Sequence, residues 1–143
     1  METQIVLLEG IEFITPVGFK FPTEFLKDCP DCCGPNSAIW QLSVPESLFG
    51  LRISPACMIH DECWNVVEPT WAGFHQSNSI FMTNGASMIL ARTRFGFVKR
   101  VRIYGLASGY ILLTFGGAPL FWAYKRRQMV QNIASNLSSS VKG

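Results

Sequence analysis

The chain has 143 residues, 48% of them hydrophobic and only 15% charged, which fits a single domain with a large apolar core. All ten acidic residues and three basic ones lie at or before Glu68, and the other nine of the twelve basic residues follow it, so the two parts carry net charges of −7 and +9. Because the basic part is also the more apolar one, the composition favours an anionic membrane surface as partner and argues against nucleic acid.

The first ten residues do not have the pattern of a signal peptide. METQIVLLEG contains two glutamates, has no basic start and has only a short apolar run. We therefore expect synthesis in the cytosol, followed by membrane association or by export along a route that needs no signal peptide.

The first part of the chain, residues 1–26, is expected to form a hairpin extension. Within it, residues 10–22 place three phenylalanines around the turn sequence Pro16-Val17-Gly18, which predicts a short β-hairpin. Residues 27–37 begin KDCPDCCGP, have no regular period and predict a constrained loop. Residues 39–51, with Pro45 and Gly50, are expected to be irregular.

Three helices are predicted in a helical core over residues 54–127. Ser54 is a natural N-cap and Pro55 suits the first helical position, so the first helix should run from there to about Glu68. The second should run from residue 71 or 73 to residue 91, and the third over residues 98–127. Residues 133–143 are expected to form a flexible tail. The predicted fold class is mostly α, in one domain over residues 1–143.

The third helix contains 22 residues without a charge, between Arg102 and Lys125. Residues 103–122 are therefore a candidate membrane segment by length, with basic clusters at 99–102 and 125–127. Four glycines and Pro119 interrupt the run, which favours a buried helix or one that rests on a membrane. By default the basic clusters are solvated faces, and attraction to anionic lipid would be an additional role.

The sequence SPACMIHDECW, residues 54–64, combines residue types that bind metals or transfer protons. On a helix, Cys57, His60, Asp61 and Trp64 share one face. A histidine can take a proton from water, and an aspartate can hold a hard cation through oxygen. The alternative for such a pair alone is a buried histidine with satisfied hydrogen bonds.

The segment CMIHDEC resembles the Cys-x-x-His-Asp-x-Cys helix of the secreted phospholipase A2 family. CCGP upstream is similar to part of that family's calcium loop, and the resemblance to the small phospholipase A2-like proteins of bacteria and their phages covers about Cys32 to Trp122. It implies an antiparallel helix pair that carries a His-Asp site, with a long apolar third helix. The implied activity is calcium-dependent hydrolysis of the sn-2 acyl ester of glycerophospholipids at a bilayer.

The resemblance also assigns roles to individual residues. His60 would be the general base and Asp61 the carboxylate that binds calcium. Backbone carbonyls near Cys32, Gly34 and Asn36 would supply the other calcium ligands, and the N–H of Gly34 would stabilise the oxyanion. The family's disulfide pattern implies a bond between Cys33 and Cys57.

The sequence departs from the family at the residue that orients the histidine. The family uses an aspartate on the second helix, but no carboxylate follows Glu68 here. Asn78 occupies the corresponding position, with Asn84 as a second candidate. An amide oxygen can orient His60 but cannot stabilise its imidazolium by charge, so we expect slower chemistry. Cys63 has no obvious disulfide partner, because the residue before Asn78 is a serine.

Two alternatives remain open at this point. Cys29, Cys32, Cys57 and His60 are spaced as two ligand pairs for zinc, which would make the protein an interaction module. Alternatively, residues 103–122 could be the working part of a membrane-inserted protein without enzymatic activity.

Overall fold

A computed structural model describes residues 1–22 and 47–141. The fold is mostly helical with an N-terminal two-stranded hairpin, as predicted. Its elements are β1 (Thr3–Leu8), β2 (Ile11–Pro16), β3 (Ser47–Leu48), β4 (Leu51–Arg52), α1 (Ser54–Val66), α2 (Trp71–Arg92) and α3 (Gly96–Val141).

The N-terminal hairpin turns earlier in the chain than predicted. β1 and β2 pair antiparallel with Leu8 opposite Ile11, so Glu9 and Gly10 connect the two strands. The predicted turn at residues 16–18 is present, with a hydrogen bond of 3.1 Å from the N–H of Phe19 to the carbonyl of Pro16, but it follows β2 and does not connect the strands. Glu9 and Gly10 have φ angles of 50° and 77°, the two positive values of a type I′ turn, whose twist matches that of the flanking strands. Glu9 also forms a salt bridge with Arg92 at the end of α2.

A second small hairpin corrects the expectation of irregular structure for residues 47–51. β3 and β4 pair antiparallel across Phe49 and Gly50, which have φ angles of 48° and 79°. The signal was Gly50, because glycine accepts a positive φ without steric cost. The remainder of the segment predicted to be irregular lies outside the described residues.

The first two helices lie close to their predicted bounds, but the prediction of Ser54 as the N-cap of α1 is wrong. Ile53 occupies the cap position, and the hydroxyl of Ser54 is buried without a partner among the described residues. At the start of α2, by contrast, the side chain of Thr70 accepts a hydrogen bond of 3.0 Å from the backbone N–H of Gly73.

The third helix is longer than predicted at its C-terminal end. α3 has 46 residues, includes Pro119, and continues to Val141, so the flexible tail expected over residues 133–143 is instead helical to residue 141. Pro119 cannot donate to the carbonyl one turn earlier, but no glycine or proline follows it until Gly143. By length and composition, Gly96–Ser140 could cross a membrane, and 22% of its most apolar window is buried.

The main core forms where α1, α2 and Leu106 of α3 meet the inner face of β2, and a second, smaller cluster forms where Phe74 of α2 meets Phe121 of α3. The largest fully buried apolar side chains include Phe13, Ile59, Phe74, Met88, Ile89, Leu106 and Phe121. Asn84 of α2 joins the hairpin to the helices, because its amide nitrogen donates to the carbonyl of Ile14 and its amide oxygen accepts from the N–H of Ile14, both at 2.8 Å. This clasp fixes the N-terminal hairpin beside the helix pair that carries His60.

Candidate active site

His60 and Asn78 are brought together by the packing of α1 against α2. The ring nitrogen Nε2 of His60 lies 2.9 Å from Oδ1 of Asn78, which is fully buried. With an amide oxygen facing it, Nε2 carries the ring proton and donates it, and the lone pair of the neutral imidazole then lies on Nδ1. The predicted contact between these two residues is therefore present, and its geometry is that of an orienting hydrogen bond.

The ring of His60 lies among aromatic side chains. Its centroid is 5.4 Å from that of Trp64 on α1 and 5.3 Å from that of Phe81 on α2, and the residue is only 7% exposed. This burial lowers the pKa of His60 to about 4, and the hydrogen bond that the ring donates to Asn78 opposes that shift only in part. The imidazole is therefore neutral at pH 7, which is the form that can accept a proton.

The amide of Asn78 is only half satisfied. Its Nδ2 is buried and has no hydrogen-bond partner among the described residues. A carboxylate at this position would have no such donor to satisfy, and would add a negative charge beside the ring. Asparagine thus holds the ring in place but leaves its positive form without a counter-charge.

Asp61 follows His60 on α1 and is partly exposed, whereas His60 is buried. Desolvation by burial, and to a smaller extent the charges of Glu62 and Asp61, raise the pKa of Tyr124 on α3. This electrostatic effect shows that Asp61 lies near α3. A carboxylate oxygen is a ligand type that calcium prefers. Of the predicted calcium ligands, Asp61 is the one that the structure describes.

The rest of the predicted metal site cannot be placed beside Asp61. Residues 1–22 and 47–141 contain no group of three or more His, Cys, Asp or Glu side chains arranged to hold a metal ion. The predicted loop residues, namely Cys29, Cys32, Cys33, Gly34 and Asn36, lie outside the described residues. A calcium ion bound by Asp61 would therefore depend on the backbone oxygens that the resemblance assigns to that loop.

The two helix cysteines differ in their chemistry. Cys57 is disulfide-bonded, and because Cys33 lies outside the described residues, their pairing stays a prediction. Because zinc binds thiolates, a disulfide-bonded Cys57 is not available as one of the four ligands of the predicted zinc site. Cys63 is free and fully buried, as expected from its lack of a partner, and burial raises the pKa of its thiol to about 12.

Two features of the site differ from the sequence-based expectations. Asn84, the second candidate for orienting His60, instead holds the backbone of Ile14. Phe81, which lies against the His60 ring, is a site residue that the sequence analysis does not single out, although it lies one turn beyond Asn78 and so faces the same side of α2.

The end of α1 is held by α3, which the sequence did not indicate. The carbonyl of Asn65 accepts hydrogen bonds from Gln128 at 3.0 Å and from Lys125 at 3.4 Å, and its side chain accepts one from the hydroxyl of Tyr124. The ring of Phe121 packs edge-on against Trp64, with centroids 5.4 Å apart. Through Trp64 and Asn65, α3 fixes the helix turn that follows His60.

Comparison with protein-family models, curated proteins and solved structures gives no significant match to this chain.

Proposed function

We propose that the protein is a phospholipase A2-like hydrolase that cleaves the sn-2 acyl ester of glycerophospholipids at a membrane surface with the help of calcium. The observation that carries this proposal is the hydrogen bond between Nε2 of His60 and Oδ1 of Asn78. It holds a neutral imidazole with its other nitrogen available as a base, one residue before the carboxylate of Asp61.

In the proposed reaction, Nδ1 of His60 takes a proton from a water molecule as its oxygen attacks the ester carbonyl carbon. The ester bond to the sn-2 oxygen then breaks, and the imidazolium returns its proton to that oxygen. The products are a fatty acid and a lysophospholipid. Asn78 keeps the imidazole ring from rotating while Nδ1 of His60 accepts the proton and then releases it.

Asp61 and the backbone carbonyls near Cys32, Gly34 and Asn36 would hold the calcium ion. When bound, the ion would polarise the ester carbonyl, and the N–H of Gly34 would be the additional oxyanion donor. Oxygen donors of this kind suit calcium better than zinc, which favours nitrogen and sulfur.

The environment of His60 also supports slow turnover. A general base works best when its pKa lies near the operating pH, whereas burial lowers the pKa of His60 to about 4. The imidazolium that forms during the reaction lies between Trp64 and Phe81 with a neutral amide beside it. We therefore expect measurable but modest hydrolysis.

The test is the release of fatty acid from anionic liposomes, with calcium or with a chelator, by the native chain and by His60→Ala. His75→Ala is the matched control, because His75 is the other histidine of the chain and is exposed on α2. Calcium-dependent release that His60→Ala abolishes and His75→Ala retains supports the proposal. Stoichiometric zinc in the purified protein, without any release, would favour the interaction module instead.

A further inference from the structure

One side of α3 carries a long row of exposed apolar side chains. They recur mainly at intervals of three, four or seven residues, which places them along one side of a helix. Each is more than half exposed, with fractions from 53% to 81%: Phe97, Tyr104, Ile111, Leu112, Phe115, Met129, Val130, Ile133 and Leu137. We refer to these nine residues as the apolar face.

The opposite side of α3 packs against the rest of the protein. Leu106 and Phe121 are 1% and 0% exposed, and Leu106 fits so closely against Gly85 of α2 that an added Cβ there would lie 2.8 Å from it. Gly117 likewise faces the ring of Phe74. Up to Lys125, α3 therefore has protein along one side and an open apolar surface along the other, and residues 131–140 beyond it are exposed at every position. A helix that crosses a bilayer alone meets lipid all round.

The charges around the apolar face indicate what covers it. Arg100 and Arg126 are exposed and lie one turn before Tyr104 and Val130, so both lie on the same side of α3 as the apolar face. The chain has no acidic residue after Glu68 and nine basic ones. A helix with an apolar face and basic flanks binds in the interface of membranes that contain anionic lipids.

We propose that the apolar face, together with Arg100 and Arg126, docks α3 lengthwise onto a bilayer that contains anionic phospholipid. The helix lies in the headgroup region with α2 on its far side, and does not cross the membrane. With 46 residues at about 1.5 Å per residue, α3 is ~70 Å long, about twice the apolar thickness of a bilayer. Docking does not depend on hydrolysis at His60.

The experiment is flotation with vesicles of phosphatidylcholine, either pure or with about one third phosphatidylglycerol, since binding of this kind depends on lipid composition. Leu112→Ser with Phe115→Ser removes two large side chains from the apolar face and should lower partitioning about tenfold or more. Ile5→Ser with Leu7→Ser is the matched control, because these two residues are 70% and 68% exposed on β1 among the acidic residues of the hairpin. That control should bind like the native chain.

The basic residues and the site are tested in the same assay. Arg100→Gln with Arg126→Gln should weaken binding to the anionic vesicles by about fivefold for each arginine and leave binding to pure phosphatidylcholine unchanged. His60→Ala should bind like the native chain, so a failure of catalysis is distinguishable from a failure of docking. Circular dichroism verifies that each variant keeps its helices.

Three results would overturn the proposal. The first is unchanged partitioning of the Leu112 and Phe115 variant, or an equal loss in the hairpin control. The second is retention of the protein in the membrane after an alkaline carbonate wash, which would show that α3 crosses it. The third is duplex DNA displacing the protein from vesicles at equal charge concentration, which would make the basic residues a nucleic-acid surface.

Discussion

Acidification should destabilise this protein through His60. Burial lowers the pKa of that side chain from 6.5 to about 4, so between these values the unfolded chain binds a proton that the folded protein excludes. The contribution of His60 to the free energy of unfolding is therefore complete above pH 6.5 and is lost as the pH falls towards 4. Since each pKa unit corresponds to about 1.4 kcal/mol, the free energy of unfolding should fall by ~2 kcal/mol between pH 6.5 and 5, and by ~3 kcal/mol at pH 4.

Urea unfolding at about pH 7, 6 and 5, followed by tryptophan fluorescence, measures this loss. Carboxylates titrate in the lower part of the range, so the quantity to compare is the difference between the native chain and His60→Gln, which keeps a side-chain amide near Asn78 but cannot titrate. His75→Gln serves as the control for an exposed histidine. Equal pH dependence in the native chain and His60→Gln would refute the burial of a neutral imidazole, and with it the account of His60 as a base.

Three further predictions concern the surroundings of His60. Asn78→Asp should raise the pKa of His60 by ~3 units, because a charge about 4 Å away contributes ~4 kcal/mol at an effective dielectric of 20; NMR titration of the ring tests this, and a pKa that stays near 4 would contradict it. Asn84→Ala should lower the free energy of unfolding by ~2–4 kcal/mol, because it leaves the N–H and carbonyl of Ile14 without their partners; a change below about 1 kcal/mol in urea unfolding would count against the clasp. The thiol of Cys63, with its pKa raised to about 12, should resist alkylation by iodoacetamide at about pH 8 and react once urea unfolds the chain; rapid labelling of the folded protein would speak against its burial.

The helices were accessible from the sequence because their signals are local. Pro55 marks the start of α1, and the break at Glu68-Pro69 separates it from α2, so the two helices lie within a few residues of their expected bounds. The end of α3 lies beyond its predicted bound, although residues 133–141 are mostly polar. Residues 133–141 contain no helix breaker, and composition alone does not end a helix.

The position of the first hairpin turn was not recoverable from its residues. Pro16-Val17-Gly18 has stronger turn chemistry than Glu9-Gly10, and the chain turns at both places, but only Glu9-Gly10 connects the paired strands. The reason is tertiary, since this register places Ile11 and Phe13 of β2 in the core and presents the backbone of Ile14 to Asn84. Strand register follows the surface that must be buried, which in this chain is contributed by a helix far away in sequence.

The sequence by itself determined the three helices, the grouping of His60 with Asp61, and the separation of acidic and basic charge, because each is a matter of spacing or composition. Only the tertiary structure decided between Asn78 and Asn84, placed Phe81 of α2 against the ring of His60, and left one side of α3 uncovered. Those choices depend on which helix faces pack together, and packing is decided by the fit of side chains that are distant along the chain.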